Sequence, residues 1–136
     1  MVHWRISRLK RNMTLIRRLL LSIEKHPDRI SGFNFENYKP EDINYHVALL
    51  IDAGLLEGDY VRSHSSSSMA PARFVITSMT WAGHEFLDNL RQEDVWNVIK
   101  TKFKDDSVET VIAVAKDLAA NFAKKKLQGL IDENEP

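Results

Sequence analysis

The chain contains no cysteine. That absence excludes a disulfide framework, a thiolate zinc site, an iron–sulfur cluster and a cysteine nucleophile. Long apolar runs are missing too. Leu19, Leu20 and Leu21 form the longest leucine cluster and lie between Arg17–Arg18 and Glu24, whereas a membrane-spanning helix needs about 20 apolar residues. The five glycines (Gly32, Gly54, Gly58, Gly83, Gly129) are too scattered for a phosphate-cradling loop. Of the five histidines, His3, His26, His46, His64 and His84, none shows the two-histidine helical spacing of a zinc hydrolase. No serine has a glycine-flanked nucleophile elbow, and Asp105–Asp106 read as a helix start rather than a proton-sharing pair. No catalytic residue, metal ligand or cofactor is therefore expected. The basic stretch from Met1 to Arg11 lacks the apolar segment and cleavage site of an export signal, so the chain reads as cytoplasmic.

What is present is ordinary globular material. The 136 residues, 43% hydrophobic and 28% charged, make one domain's length with a short appendage. Such a chain buries roughly two-thirds of its unfolded surface. Nineteen basic and nineteen acidic residues cancel, which excludes a uniformly basic coat but not a local patch. The charge is uneven. Residues 1–25 hold seven basic residues (Arg5, Arg8, Lys10, Arg11, Arg17, Arg18, Lys25) against Glu24 alone, while the rest of the chain is net acidic. Two readings of this basic segment stand open: a solvated helix face with a frayed end, or a phosphate-contacting arm.

Local signals place the elements. Asn12 can cap a helix running to about His26, with Met13, Ile16, Leu19, Leu20 and Ile23 as its buried stripe and Pro27 as its stop. Ile30 to Tyr38 reads as a short strand or ordered loop. Pro40 opens a second helix, Glu41 and Asp42 suit its positive end, and Gly54 is its C-terminal glycine. Leu55–Arg62 and Arg73–Thr77 read as strands, joined by a serine-rich tip with Pro71. Thr80 can cap a third helix from Trp81 to about Leu90. Helical pattern resumes with Val95, Trp96, Ile99 and Phe103 after a kink near residues 92–94, and Trp81, Trp96, Phe86 and Phe103 are expected in the core. Ser107 begins a last helix of about 24 residues, with Val108, Val111, Ile112, Ala115, Leu118, Ala119, Phe122 and Ala123 on one stripe.

This order predicts an α+β, mainly helical fold: a winged helix-turn-helix domain with an additional C-terminal amphipathic helix. The divisions expected are a basic arm over 1–11, the winged-helix domain over 12–104 and the C-terminal helix over 105–136. The normal middle helix would be reduced to the stretch from Phe35 to Pro40. The run from Ile43 to Leu56, ending in Ala53-Gly54-Leu55, resembles the recognition-helix signature of arsenic-repressor-type regulators. Lys10-Arg11-Asn12-Met13, Glu41 to Gly58, and Thr80 to Leu87 with Trp96-Asn97 resemble an uncharacterised family of phage and bacterial proteins, designated only as a domain of unknown function. That resemblance implies a fold and a prophage setting, not an activity.

On the second helix, Ile43, Val47, Leu50 and Ile51 share a core side, whereas Glu41, Asn44, Tyr45, Ala48 and Asp52 point away. In a DNA reader the outer face enters the major groove, where Asn44 can pair with adenine and Tyr45 can reach phosphate. Arg5, Arg8, Lys10 and Arg11 in the arm and Arg62, His64 and Arg73 in the wing complete the candidate DNA-binding set. Against this, Glu41 and Asp52 repel phosphate. His46, at the margin of the core stripe, reads as a hydrogen-bonded structural histidine rather than a ligand. For Trp4, stacking on a partner and tucking against the domain both stand open. Two functions follow: a phage-type DNA-binding transcriptional regulator contacting double-stranded DNA, or a protein-interaction module that binds a host protein. A homodimer through residues 107–131 is expected, and no membrane association.

Overall fold

A computed structural model describes residues 9–62 and 70–134. They fall in two compact units, the first ending at Leu87 and the second beginning at Asp88. The division read from the sequence, at residue 104, falls inside the second unit.

In the first unit, helix α1 (Met13–Glu24) starts where Asn12 Oδ1 accepts the Leu15 N–H at 3.1 Å. That bond satisfies one of the orphan donors of the first turn. Leu15, Ile16, Leu19 and Leu20 are fully buried along one stripe, each contributing about 2 kcal/mol of gross burial. Arg17 and Arg18 fall outside it. Helix α2 (Pro40–Asp52) begins with proline in its first turn. It ends in a Schellman motif: Gly54, at φ 77°, donates to Ile51 O, and Leu55 donates to Leu50 O. Only glycine takes that φ without strain. The corner turns the chain directly into the sheet and buries Leu55.

Strands β1 (Leu56–Val61) and β2 (Arg73–Met79) pair antiparallel, from Leu56 opposite Met79 to Val61 opposite Arg73, with a register irregularity at Glu57–Gly58. Ile30 forms an isolated antiparallel bridge to Ile76, each N–H donating to the other's carbonyl at 3.0 and 2.8 Å. The stretch between that bridge and α2 contains a single turn, closed by the Tyr38 N–H on Phe35 O. Helix, bridge, turn, helix and hairpin follow the order of a winged helix, and the α+β architecture is consistent with one. Helix α3 (Trp81–Leu90) opens where Thr80 Oγ1 accepts the Gly83 N–H at 3.0 Å.

In the second unit, α4 (Glu93–Lys102) packs on α5 (Val108–Glu133). Ser107 caps α5 by accepting the Thr110 N–H at 3.1 Å. Val95, Trp96 and Ile99 of α4 and Val108, Val111 and Ala115 of α5 are buried. No described helix is long and apolar enough to cross a membrane.

Several side chains depart from the sequence reading. Trp81 is 80% exposed rather than in the core. Gly83 and Phe86 take the inward phase of α3, and Trp81 lies 200° round the helix from Gly83. Ala48, read as outward, is buried, and Ile51 is only half-buried. Phe103 is half-buried, and on α5 Ala123 is exposed.

Candidate nucleic-acid interface

The candidate residues converge on α2 through two tethers. The first is polar and buried. His46, 1% exposed, accepts the Asn12 backbone N–H at Nε2 (2.8 Å) and faces the Asp42 carbonyl with Nδ1 at 2.7 Å. A backbone N–H can only donate, so Nε2 carries the lone pair and the proton sits on Nδ1. This bond spans 34 residues. It fixes the end of the basic segment against α2: Lys10 is exposed there, and Arg11 is half-buried with its charge felt at His46.

The second tether joins α2 to the wing. Asn44 Nδ2 donates to Pro71 O at 3.2 Å and to Ala72 O at 3.4 Å. Eight residues along, the Tyr60 hydroxyl of β1 donates to both oxygens of Asp52, at 2.8 and 3.0 Å. The base of the wing therefore covers the flank of α2 bearing Asn44, Ala48 and Asp52, which explains the burial of Ala48. Arg62 lies 5.5 Å over the Tyr60 ring. Arg73 is exposed at the last register pair of the hairpin. Both arginines sit where the strands open towards the tip.

The outward face of α2 is thus narrower and more acidic than an open helix would offer. Asn44 has committed its amide to the wing. Tyr45 is half-buried with its ring edge-on to His46 at 5.3 Å. Glu41 and Asp52 are exposed, and α2 itself carries no lysine or arginine. A groove-entering surface built this way has its cations on either side of the helix rather than on it. His46 and Asn44 lie about 160° apart by helical phase, so the two tethers hold opposite flanks of α2. Arg5, Arg8 and His64 lie outside the described residues.

Other features escaped sequence reasoning. Arg18 stacks 4.1 Å from the centroid of Phe35 and 5.9 Å from that of Tyr38, and Phe33 bridges Phe35 to the buried Phe74. This stack occupies the stretch between the Ile30 bridge and α2, where the sequence reading expects a reduced middle helix. The alternation of Phe33 and Phe35 was the visible signal for it. An open cleft beside β2 is lined by His26, Asp28, Ser78 and His84 among others. It gathers none of the candidate residues. Among the described residues no group of histidine and carboxylate side chains is placed to hold a metal ion.

Comparison with known proteins places this fold in a family. Residues 10–109 match the model of the family described as hypothetical protein (DUF2513), and the chain belongs to that family. An uncharacterized protein of Haemophilus influenzae is 34% identical over 128 residues, which cover 88% of this chain and 99% of that protein. No solved structure matches the chain. The matched span contains both tethers and every candidate residue except Arg5 and Arg8.

Proposed function

We propose that this DUF2513 protein binds double-stranded DNA as a winged-helix regulator of the phage or prophage type, holding phosphates from both sides of α2. The observation that carries the reading is the pair of tethers. One anchors the Lys10–Arg11 segment to α2 through Asn12 and His46. The other anchors the wing, with Arg62 and Arg73, through Asn44. Cations set on opposite flanks of a helix can straddle a groove and fix the protein's orientation on the duplex. Base reading is then left to Tyr45 and to groove shape, because the Asn44 amide is already spent on the wing.

The test is fluorescence anisotropy with a labelled mixed-sequence duplex over a range of salt concentrations. Affinity should fall steeply with salt. Changing Lys10, Arg62 and Arg73 together to alanine should flatten the slope of log K against log salt by about three units. A slope that stays put would remove these residues from the interface. Asn44→Ala makes a separate prediction. It should cost about 1 kcal/mol of stability through the lost bonds to the wing. It should weaken DNA binding alike for all sequences. A change of preference confined to one base pair would instead make Asn44 a base reader.

A second reading draws on a specific observation. The exposed carboxylates Glu41 and Asp52, with Asn44 turned to the wing, make α2 a better match for a basic protein surface than for phosphate. A host protein bound through α2 is the partner this reading requires. Absence of any salt-sensitive DNA binding at low ionic strength would favour it.

A further inference from the structure

Helix α5 runs for 26 residues, about 39 Å, yet its buried residues, Val108, Val111 and Ala115, all lie in its first third. A second row runs down another side. Ala113, Lys116, Ala120, Ala123, Leu127 and Leu130 follow one another at intervals of three and four residues, the spacing of a coiled-coil seam. Every one of the six is exposed, Leu127 at 57% and Leu130 at 49%. The row lies roughly a third of a turn away from the buried stripe. It is therefore not the surface that α5 uses within its own unit, nor the stripe the sequence pattern singled out.

We propose that this row is the seam of an antiparallel homodimer, each α5 lying along the whole length of its twin. The occupant is a second copy because the row complements itself in one arrangement only. In a parallel, in-register pair, Lys116 would face Lys116 of the twin, a like-charge contact within the seam. Antiparallel registers differ in which charges they bring together. Centring the two-fold axis near residue 125 sets Lys124 against Lys124 and Lys126 against Lys126. Centring it between Leu127 and Leu130 overlaps only the last three turns and leaves Ala113 and Ala120 uncovered. Centring it between Asn121 and Phe122 satisfies every position. Leu130 then meets Ala113 of the twin, Leu127 meets the aliphatic stem of Lys116, and Ala120 meets Ala123. Asp117 and Lys124, both exposed beside the seam, face each other across it twice. Leu130 packs on a small residue at each end of the pair, and the alanines at the centre let the backbones approach closely. A two-fold axis makes such a contact self-complementary and closed. The dimer stands whether or not DNA binds.

The measurement is the solution mass of the full chain by sedimentation, with a cross-link as its geometric check. The mass should approach twice 15.7 kDa as the protein rises to about 100 μM. Leu127→Lys with Leu130→Lys, a change at exposed positions, should leave helical circular dichroism intact and weaken dimerisation by about a hundredfold or more. The chain has no cysteine of its own, so Ala113→Cys with Leu130→Cys can report the register. Those positions are about 25 Å apart along one helix, too far for a bond within a chain. Under mild oxidation the double variant should give a covalent dimer, and neither single variant should. A monomer at every concentration overturns the proposal. So does a dimer indifferent to the two lysines, or one that Ala113→Cys alone cross-links.

Discussion

Gly83→Ala is expected to destabilise the protein by about 3 kcal/mol, although helix propensity alone argues the other way. Gly83 is the third residue of α3, and alanine is favoured over glycine inside a helix by up to about 1 kcal/mol. Packing decides the sign. A Cβ on Gly83 would overlap the backbone carbonyl oxygen of Leu55 and come within 2.7 Å of Met79 Cγ. The methionine can swing aside, but the carbonyl cannot. Leu55 is pinned at both ends, its N–H donating to Leu50 O in the helix-ending motif and its carbonyl accepting the Thr80 N–H at 3.1 Å. Thr80 is pinned in turn, its hydroxyl donating to Gly54 O at 2.6 Å and accepting the Gly83 N–H. Relief would require moving α3 away from the α2–β1 corner. Overpacking of this kind typically costs 1–3 kcal/mol and sometimes more. For a chain of this size the melting temperature should fall by roughly 10 °C. Urea denaturation of the variant is the check. An unchanged or raised midpoint would mean the corner yields, and that α3 is not held where its first turn places it.

How much of this was legible before any coordinates depends on the range of the signal. Asn12 before an apolar-periodic run, Pro27 after it, Pro40 at a helix start and Ala53-Gly54-Leu55 at a helix end are local devices. Each acts within a few residues of itself, the caps through hydrogen bonds and the prolines through a fixed φ and a missing N–H, and each sits where the sequence put it. The same locality placed Ser107 as the cap of α5 and Arg62 and Arg73 at the open end of the hairpin. The misreadings are all tertiary. Helical phase put Asn44 and Ala48 on the outer face of α2 and could not register that the wing folds back across that flank. Helical pattern puts Trp81 in the core with Phe86, whereas the inward position of its turn belongs to Gly83. The Ile30 bridge depends on Ile76, 46 residues further on, and no periodicity announces so short a pairing. The stripe read along α5 is buried at Val108, Val111 and Ala115 and only half-buried at Ile112, Leu118, Ala119 and Phe122, because helical phase marks a face but not how far a neighbour covers it. For the candidate interface, the sequence names the charged residues but cannot say how Lys10–Arg11 and the hairpin arginines are held against α2.

His46→Ala should cost about 3 kcal/mol, and it should also remove a pH dependence that the parent protein shows. The size follows from what the imidazole does. It is itself 1% exposed, and its removal leaves a cavity of the kind that costs 2–5 kcal/mol in a core. It also strips the Asn12 N–H of its acceptor, and an unsatisfied buried donor costs about 1–3 kcal/mol. Relaxation at the partly exposed Asn12 end keeps the total below the sum of these. The pH effect follows from the tautomer. Burial, the dominant cause, holds the His46 pKa below its ordinary 6.5; the Arg11 charge lowers it further, while the bond to the Asp42 carbonyl and the Asp42 carboxylate raise it. Geometry makes the same demand, because a proton on Nε2 would point at the Asn12 N–H. With the folded-state value lowered, the unfolded chain takes up the proton first. Stability is therefore complete above the unfolded value near 6.5 and declines as pH falls below it. The decline ends once pH has passed the folded-state value, where both states are protonated. Urea midpoints between pH 7.5 and 5 should fall for the parent and fall less for His46→Ala. Parallel curves for the two would mean that the imidazole is not held neutral at this joint. His46→Leu separates the two contributions: it fills nearly the same volume but restores no acceptor, so it should recover part of the stability and none of the pH dependence.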